Sequence, residues 1–302
     1  MRVSHLDASQ IASRLRRGDL LLKVSPFVAR VRSDIGAVAR GISLLYGDFA
    51  VLEPDDFADF HIAVAAPAGL RRWVRPQVIF SLDGFAPFKP LPANQAYPMF
   101  EWGLNWCIAA HAHNYLVIHA AVVERSGRAV VLPAPPGSGK STLCAGLVAR
   151  GWRLLSDELA LLDLDSGLIQ PLARPVNLKN ASIDVISEFH VGAVMTEPVH
   201  DTAKGTVALM RPPAESVARA TDPALPAWVV FPRYAAGAPA VLEPKSKAQT
   251  FMRVVEQAFN YDILGARGFE AAAGLIDRCE CFDFSYGNLD EAAATFVSLA
   301  SE

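Results

Sequence analysis

Several features are scarce or missing in this chain of 302 residues. Its four cysteines are too few for a scaffold held together by disulfides, so we expect free thiols. No stretch approaches the ~18 uncharged apolar residues that a spanning helix needs, and the first residues, which include Arg2 and Asp7, contain no apolar signal-peptide core. We therefore expect a soluble, cytoplasmic protein without a membrane partner.

An excess of basic charge is missing as well. Lysine and arginine together number 28 against 31 aspartate and glutamate residues, the net charge is −3, and no run of cations forms a basic patch. These values argue against nucleic acid as a partner. The 52% hydrophobic content is enough for the core of one large domain or two smaller ones.

Cys279 and Cys281 form a C-x-C pair. Such a pair is half of a metal site or, alternatively, two alternating residues of a strand. No second Cys or His pair lies close in sequence, which favours the strand. We therefore expect no metal at this pair.

Residues 1–97 have the pattern of a small α+β domain. Helical periodicity at 10–17 stops at Gly18, and a second helical pattern covers 35–46. An extended run at 20–31 and apolar or β-branched runs at 60–65 and 77–82 predict strands. Prolines between 86 and 98 predict a connection, so we place a domain boundary near Pro98. This domain shows no catalytic constellation and is a candidate for substrate recruitment.

Residues 98–302 have the pattern of a larger α/β domain. A helix is expected at 99–111, followed by a hairpin of two apolar runs, 115–123 and 129–133, around Gly127. Further strands are predicted at 152–156, 159–164, 206–210 and 227–231, and helices at 248–259 and 289–299. These two helices should cover the sheet.

The strongest signal is a glycine-rich sequence between the second hairpin strand and a predicted helix at 142–150. It reads Ala134-Pro135-Pro136-Gly137-Ser138-Gly139-Lys140-Ser141, with Thr142 following. At such a turn the backbone N–H groups and the positive end of the helix dipole surround an anion, and the glycines let the backbone approach phosphates. The expected nucleotide-binding residues are Pro136, Gly137, Ser138, Gly139, Lys140, Ser141 and Thr142.

Two of these side chains carry the expected cofactor chemistry. Lys140 should neutralise the β- and γ-phosphates of ATP, and the Ser141 hydroxyl should bind Mg²⁺. Ala134 occupies the position of the first glycine in this motif, so we expect ordinary backbone angles there. The alternative is a chance Gly/Pro loop with an exposed lysine, which the strand before and the helix after disfavour.

Two acids, Asp157 and Glu158, follow the short strand at 152–156. Strand pairing can bring both carboxylates beside the glycine-rich sequence at the carboxyl edge of the sheet. One can hold Mg²⁺ while the other takes a proton from an attacking hydroxyl. The alternative is a solvated acidic turn.

These residues resemble the HPr kinase/phosphorylase family, bacterial serine kinases whose P-loop domain is related in fold to PEP carboxykinase. The resemblance rests on His119, Gly137 to Ser141, Arg150-Gly151 and Asp157-Glu158, in this order and with similar spacing. Nearly the whole chain is similar to the subgroup called HPr kinase-related kinase A. The sequences that carry this second likeness are 101–107, 119–121, 136–142, 156–158 and 174–180.

The resemblance implies an α/β P-loop kinase domain of HPr kinase/PEP carboxykinase-like type behind a small N-terminal α+β domain. Such a kinase transfers the γ-phosphoryl group of ATP to a hydroxyl, here a serine of a protein or peptide. Asp157 then resembles the catalytic aspartate, His119 the histidine near the transferred phosphate, and Glu158 a metal ligand. Related kinases occur in gene clusters for modified peptides, so a precursor peptide encoded nearby is an expected acceptor, and an oligomer is compatible.

Two departures limit what the resemblance implies. Glu158 stands where the kinases of HPr carry aspartate, and the signature Leu-Glu-Ile-Arg-Gly-Leu-Gly that follows the acids in those kinases is absent. The phosphorylase reaction, the hexamer and HPr itself as substrate are therefore not implied.

Several candidate residues have a second interpretation. His119 lies on an apolar strand, and without the resemblance its neighbours favour a buried structural histidine. Arg174 and Lys179 are candidates for clamping a phosphate or the acceptor, or are solvated loop cations. Arg233 follows a predicted strand at the sheet edge where ligand groups often lie.

Two other function classes stay open beside the kinase. A nucleotide-binding regulator would occupy the same loop without transferring phosphate, and the two acids argue against it. A small-molecule kinase is not excluded by the glycine-rich sequence. The expected function is an ATP- and Mg²⁺-dependent kinase with a protein or peptide acceptor.

Overall fold

The computed structural model describes residues 1–301 and shows a mixed α/β protein with three β-sheets over that range. The first sheet has the strand order β3-β1-β2-β4-β5-β6. Its strands are β1 (Leu20–Val24), β2 (Phe27–Ser33), β3 (Val51–Leu52), β4 (Phe60–Ala65), β5 (Gln77–Leu82) and β6 (Leu91–Pro92). Three helices accompany it, α1 (Ala8–Arg17), α2 (Gly36–Leu45) and α3 (Ala96–His111).

The elements of the first sheet follow from local signals. Asp7 caps α1 by accepting a hydrogen bond from the Gln10 N–H, and Gly18 ends the helix at a φ of 76°. The extended run predicted at 20–31 is two antiparallel strands, β1 and β2, because the chain turns between Val24 and Phe27. The strands predicted at 60–65 and 77–82 are confirmed as β4 and β5.

Helix α3 packs against the first sheet. It contacts α2, β4 and β5, and a methyl group at Gly103 would overlap the Phe80 ring, so this glycine permits the close approach of α3 to β5. Pro98, where we predicted the domain boundary, lies buried in the first turn of this helix. The change from one sheet to the next therefore comes after His111, and the division into two domains stays a prediction.

The second sheet has eight strands in the described chain, in the order β11-β10-β7-β8-β15-β17-β16, with β9 also paired to β7. They are β7 (Tyr115–Arg125), β8 (Arg128–Pro133), β9 (Arg153–Ser156), β10 (Leu159–Asp163), β11 (Ile169–Gln170), β15 (Leu225–Tyr234), β16 (Val241–Pro244) and β17 (Glu280–Tyr286). A small third sheet holds β12 (Val176–Lys179), β13 (Val199–Thr202) and β14 (Gly205–Met210).

Helices cover both faces of the second sheet. The helices after the hairpin are α4 (Lys140–Ala149), α5 (Ala181–Phe189), α6 (Ala214–Ala218), α7 (Lys247–Val255), α8 (Tyr261–Leu264), α9 (Ala266–Arg278) and α10 (Leu289–Ser301). Along β7, Ile118 and Ala120 pack in the cluster that includes α7 and α9, whereas Ala121 and Val123 pack in the cluster that includes α4 and α10. Burial on both faces explains why β7 is almost continuously apolar.

The predicted elements of this half are confirmed within a few residues. The hairpin is β7–β8, and the four later strands are β9, β10, β14 and β15. The helices expected at 248–259 and 289–299 are α7 and α10. Helices α5 and α9 and strands β12, β13 and β16 had no clear sequence signal.

The structure also shows the state of the cysteines and whether any described helix could span a membrane. All four cysteines are free and buried, as expected, and Cys281 lies in β17 with Cys279 just before it. Residues 1–301 contain no group of three or more His, Cys, Asp or Glu side chains suited to a metal. In the same range no helix combines the length and apolar character needed to cross a bilayer.

Candidate active site

The site is built around residues 134–139, which connect the end of β8 to the start of α4. Gly137 and Gly139 take φ values of 87° and 89°, a backbone region that favours glycine. Ala134 is buried and is not among the positive-φ residues of the described chain, as its side chain requires. We call these six residues the 134–139 loop.

Two tyrosines fix the end of this loop. The Tyr234 N–H donates to the Ser138 carbonyl at 2.9 Å, and the Tyr286 hydroxyl donates to the Gly139 carbonyl at 2.9 Å. Tyr234 ends β15, which pairs with β8, and Tyr286 ends β17, which pairs with β15. Because the three strands are parallel, their carboxyl ends meet the loop at one edge of the sheet. Neither tyrosine was among the predicted site residues.

Lys140, the first residue of α4, is buried and reaches back to β7. Its ammonium nitrogen lies 2.9 Å from His119 Nε2. Burial, together with the charge of Lys140, lowers the pKa of His119 to about 4. The imidazole is therefore neutral near pH 7, and because a lysine can only donate, His119 Nε2 accepts this hydrogen bond.

Asp157 lies in the turn between β9 and β10 and is only 4% exposed. Its Oδ2 accepts a hydrogen bond from the Asn177 N–H at 3.0 Å, while Oδ1 is buried without a partner. Burial and, next, the neighbouring Glu158 charge raise the pKa of Asp157 to about 6, against the opposing effects of Asn177, Lys140 and Ser141. The carboxyl group therefore titrates close to neutrality.

Glu158, the adjacent acid, has a different environment. Its Oε2 accepts from Asn105 Nδ2 at 2.6 Å and its Oε1 accepts from Asn177 Nδ2 at 3.2 Å. Burial alone would raise the pKa of Glu158, but the positive charges of Lys204, Lys179 and Lys140 lower it overall. The two neighbouring acids therefore shift in opposite directions.

The structure brings most of the predicted site residues together. His119, Asp157 and Glu158 lie around Lys140, the residue that follows the 134–139 loop, and the charge of Lys179 acts on Glu158. Arg174 does not reach into this site as a free cation, because its guanidinium is bonded to α3. Arg233 lies at the end of β15 with an exposed side chain.

Asn105 and Asn177 are site residues to which the sequence analysis assigned no role. Asn105 comes from α3 and Asn177 from β12, and both donate to Glu158. Their only sequence signal is membership in the two segments, 101–107 and 174–180, that carry the likeness to the kinase subgroup. Asparagine side chains carry no charge and follow no periodic pattern, so the sequence alone does not identify them as site residues.

The donors and acceptors present fit a hard divalent cation. The Ser141 hydroxyl lies close enough to Asp157 to affect the pKa of that acid, and each Glu158 oxygen accepts one hydrogen bond, which leaves a lone pair for a cation. Hard cations such as Mg²⁺ take oxygen ligands and commonly use only one or two carboxylates, with substrate phosphates completing the shell. The positive charge of Lys140 acts on both acids.

Comparison with known proteins adds little. No protein-family model matches the chain, and no curated protein matches it. Among solved structures the chain is similar to the Hpr(Ser) kinase/phosphatase from Coxiella burnetii, with 12% identity over 61% of this chain and 97% of that one, at a TM-score of 0.29. A likeness this weak carries no argument about the reaction.

Proposed function

We propose that this chain is an ATP-dependent phosphotransferase of the HPr kinase-like type that moves the γ-phosphoryl group to a serine hydroxyl of a protein or peptide. One observation carries the proposal. A strand-to-helix loop with two positive-φ glycines lies beside a buried lysine, a neutral histidine and a buried carboxylate with a free oxygen. This combination supplies anion binding, charge stabilisation and a proton acceptor in one place.

The loop and the start of α4 would hold the nucleotide. The N–H groups of Gly137 to Thr142 and the positive end of the helix dipole attract the phosphates, and Lys140 adds a full charge. Lys140 now donates to His119, so the neutral imidazole holds the ammonium in place before the phosphate arrives. His119 would therefore orient Lys140 and, as the resemblance implies, border the transferred group.

Asp157 would act as the general base. Its unpartnered Oδ1 accepts the proton of the serine hydroxyl as the serine oxygen bonds to the γ-phosphorus and the bond to the β-phosphate oxygen breaks. A base works best when its pKa lies near the working pH, and burial moves the pKa of Asp157 toward that range. Glu158, which its lysine neighbours keep ionised, is the better metal ligand.

Bound Mg²⁺ would neutralise phosphate charge, and Ser141 and Glu158 are the residues that would hold it. Residues 1–97 are proposed to recruit the acceptor. The acceptor itself is proposed to be a peptide encoded near this gene. These finer assignments rest on the resemblance seen in the sequence.

The test is transfer of label from γ-labelled ATP with Mg²⁺ to peptides encoded by neighbouring genes. Asp157→Asn should abolish transfer while ATP still binds, because the loop is untouched. Asp165→Asn is the matched control, since the same change is made at an exposed acid that pairs with Arg267 away from the loop.

Each other outcome favours a different function. Nucleotide binding with neither transfer nor hydrolysis would replace the kinase with a nucleotide-binding regulator. Label that appears only in a small molecule would support a small-molecule kinase. If Glu158→Gln abolishes transfer while Asp157→Asn only weakens Mg²⁺ binding, Glu158 is the base and Asp157 the metal ligand.

A further inference from the structure

Two sets of polar side chains have no place in the mechanism so far, those of α3 and those of the segment leading into β12. The structure joins them. Asn105 on α3 and Arg174 before β12 are hydrogen bonded, and Asn105 also donates to Glu158 at 2.6 Å. A connected set of polar groups thus runs from α3, which packs on the first sheet, to an acid of the active site.

Arg174 is the fixed point of this set. It is 6% exposed, and its Nη2 donates to the Glu101 carbonyl at 3.0 Å and to Glu101 Oε2 at 2.6 Å. Glu101 is buried as well and accepts from the hydroxyls of Tyr46 at 3.1 Å and Tyr97 at 2.8 Å. Because both charges are paired and hydrogen bonded, the guanidinium has little freedom to move.

This arrangement determines how the Asn105 amide is oriented. Arginine has only donors, so the group that meets Arg174 Nη1 must be the Asn105 oxygen. The amide nitrogen then faces Glu158 Oε2 and donates to it. Flipping the amide would place the NH₂ group against the guanidinium and the oxygen against a carboxylate, two repulsive contacts instead of two bonds.

We propose that Asn105 is a positioning residue, which Arg174 and Glu101 hold in one orientation so that it fixes the Glu158 carboxylate beside the 134–139 loop. Asn177 holds the other carboxylate oxygen, so the group is fixed at both ends. Since α3 packs on the first sheet, that sheet helps to shape the active site besides any role in recruitment. This inference rests on the proposed function, in which Glu158 is a Mg²⁺ ligand.

The test is Asn105→Ala. A hydrogen bond to a charged group carries enough energy that its loss should lower kcat roughly tenfold or more, while the KM for ATP stays within about a factor of two. In a Glu158→Gln background the same change should have little further effect, because the group that Asn105 positions is already altered. Asn114→Ala, at an exposed position just after α3, is the matched control.

A second readout does not depend on activity. Calorimetry should show that Mg²⁺ strengthens ATP binding less in Asn105→Ala than in the wild type, with metal-free ATP binding equal in the two proteins. Thermal unfolding of both proteins checks that the fold is kept. Asn105→Ser, which is too short to bridge Arg174 and Glu158, repeats the test where the alanine variant does not fold.

Three results would overturn the inference. They are an unchanged kcat and Mg²⁺ effect in Asn105→Ala, an equal loss of ATP binding with and without Mg²⁺, and full additivity with Glu158→Gln. Failure of the proposed function is distinguishable, because a wild type that transfers no phosphate still allows the calorimetric comparison. A Mg²⁺ effect that depends on Asn105 would support the positioning role even then.

Discussion

A methyl group at Gly139 should damage the 134–139 loop far more than one at Gly137. Both glycines have nearly the same positive φ, 89° and 87°, so alanine is strained at either position by a similar amount, about 1–2 kcal/mol. Their surroundings differ. A Cβ at Gly137 meets nothing within 4 Å, whereas one at Gly139 would lie 2.5 Å from Tyr286 Oη and 2.8 Å from Tyr234 Cβ.

The added contacts give the size of the difference. Forcing an extra methyl group into a packed site costs about 1–3 kcal/mol. Gly139→Ala should therefore lower the free energy of unfolding by about 2–5 kcal/mol, against about 1–2 kcal/mol for Gly137→Ala. Urea unfolding followed by tryptophan fluorescence measures both values.

Removing the Tyr286 hydroxyl, which the new methyl group would overlap, should reduce the loss of stability. In a Tyr286→Phe background the nearest obstacle to the new methyl group is gone, so Gly139→Ala should cost less than it does in the wild type. Tyr286→Phe alone should cost about 1 kcal/mol for the lost bond to the Gly139 carbonyl. Equal losses for Gly137→Ala and Gly139→Ala, or an identical cost in both backgrounds, would refute this account of the loop.

Two further predictions concern buried charge. Between pH 6.5, the ordinary pKa of histidine, and about pH 4, His119 is protonated in the unfolded chain but neutral in the folded one. The free energy of unfolding of the wild type should therefore decrease as the pH is lowered, relative to that of His119→Gln, by about 3 kcal/mol at most. Urea unfolding from pH 7 to pH 4 measures the difference, and a constant difference contradicts it. Arg174→Met should cost about 3–5 kcal/mol by leaving Glu101 buried and unpaired. The double variant with Glu101→Gln should cost less than the sum, and strict additivity would argue against the pair.

Local signals predicted the elements that build the loop. The β7–β8 hairpin, the start of α4 and the positions of Asp157 and Glu158 follow from apolar runs and glycine placement within about 40 residues of sequence. Lys140 and His119 were expected near the same phosphate, and the structure places them in contact. Their roles in a reaction stay predictions.

Contacts between distant segments could not be predicted from the sequence. Tyr286 meets Gly139 across 147 positions, and Arg174 meets Asn105 across 69, so neither pairing leaves a periodic trace. Arg174 was a candidate phosphate clamp because a developing phosphoryl charge calls for cations. Burial beside Glu101 gives it a different partner. Pro98 suggested a boundary because prolines are common in connections. Proline also favours helix starts, and here it lies in the first turn of α3.

Calorimetric titration of ATP with Mg²⁺ into wild type and Lys140→Ala tests the phosphate site most directly. Lys140→Ala should weaken binding by roughly tenfold to a hundredfold, because a charge-assisted contact to phosphate is lost. Lys89→Ala, an exposed lysine in the first half of the chain, should bind as the wild type does. Undiminished affinity in Lys140→Ala would contradict the assignment of residues 134–141 as the nucleotide site.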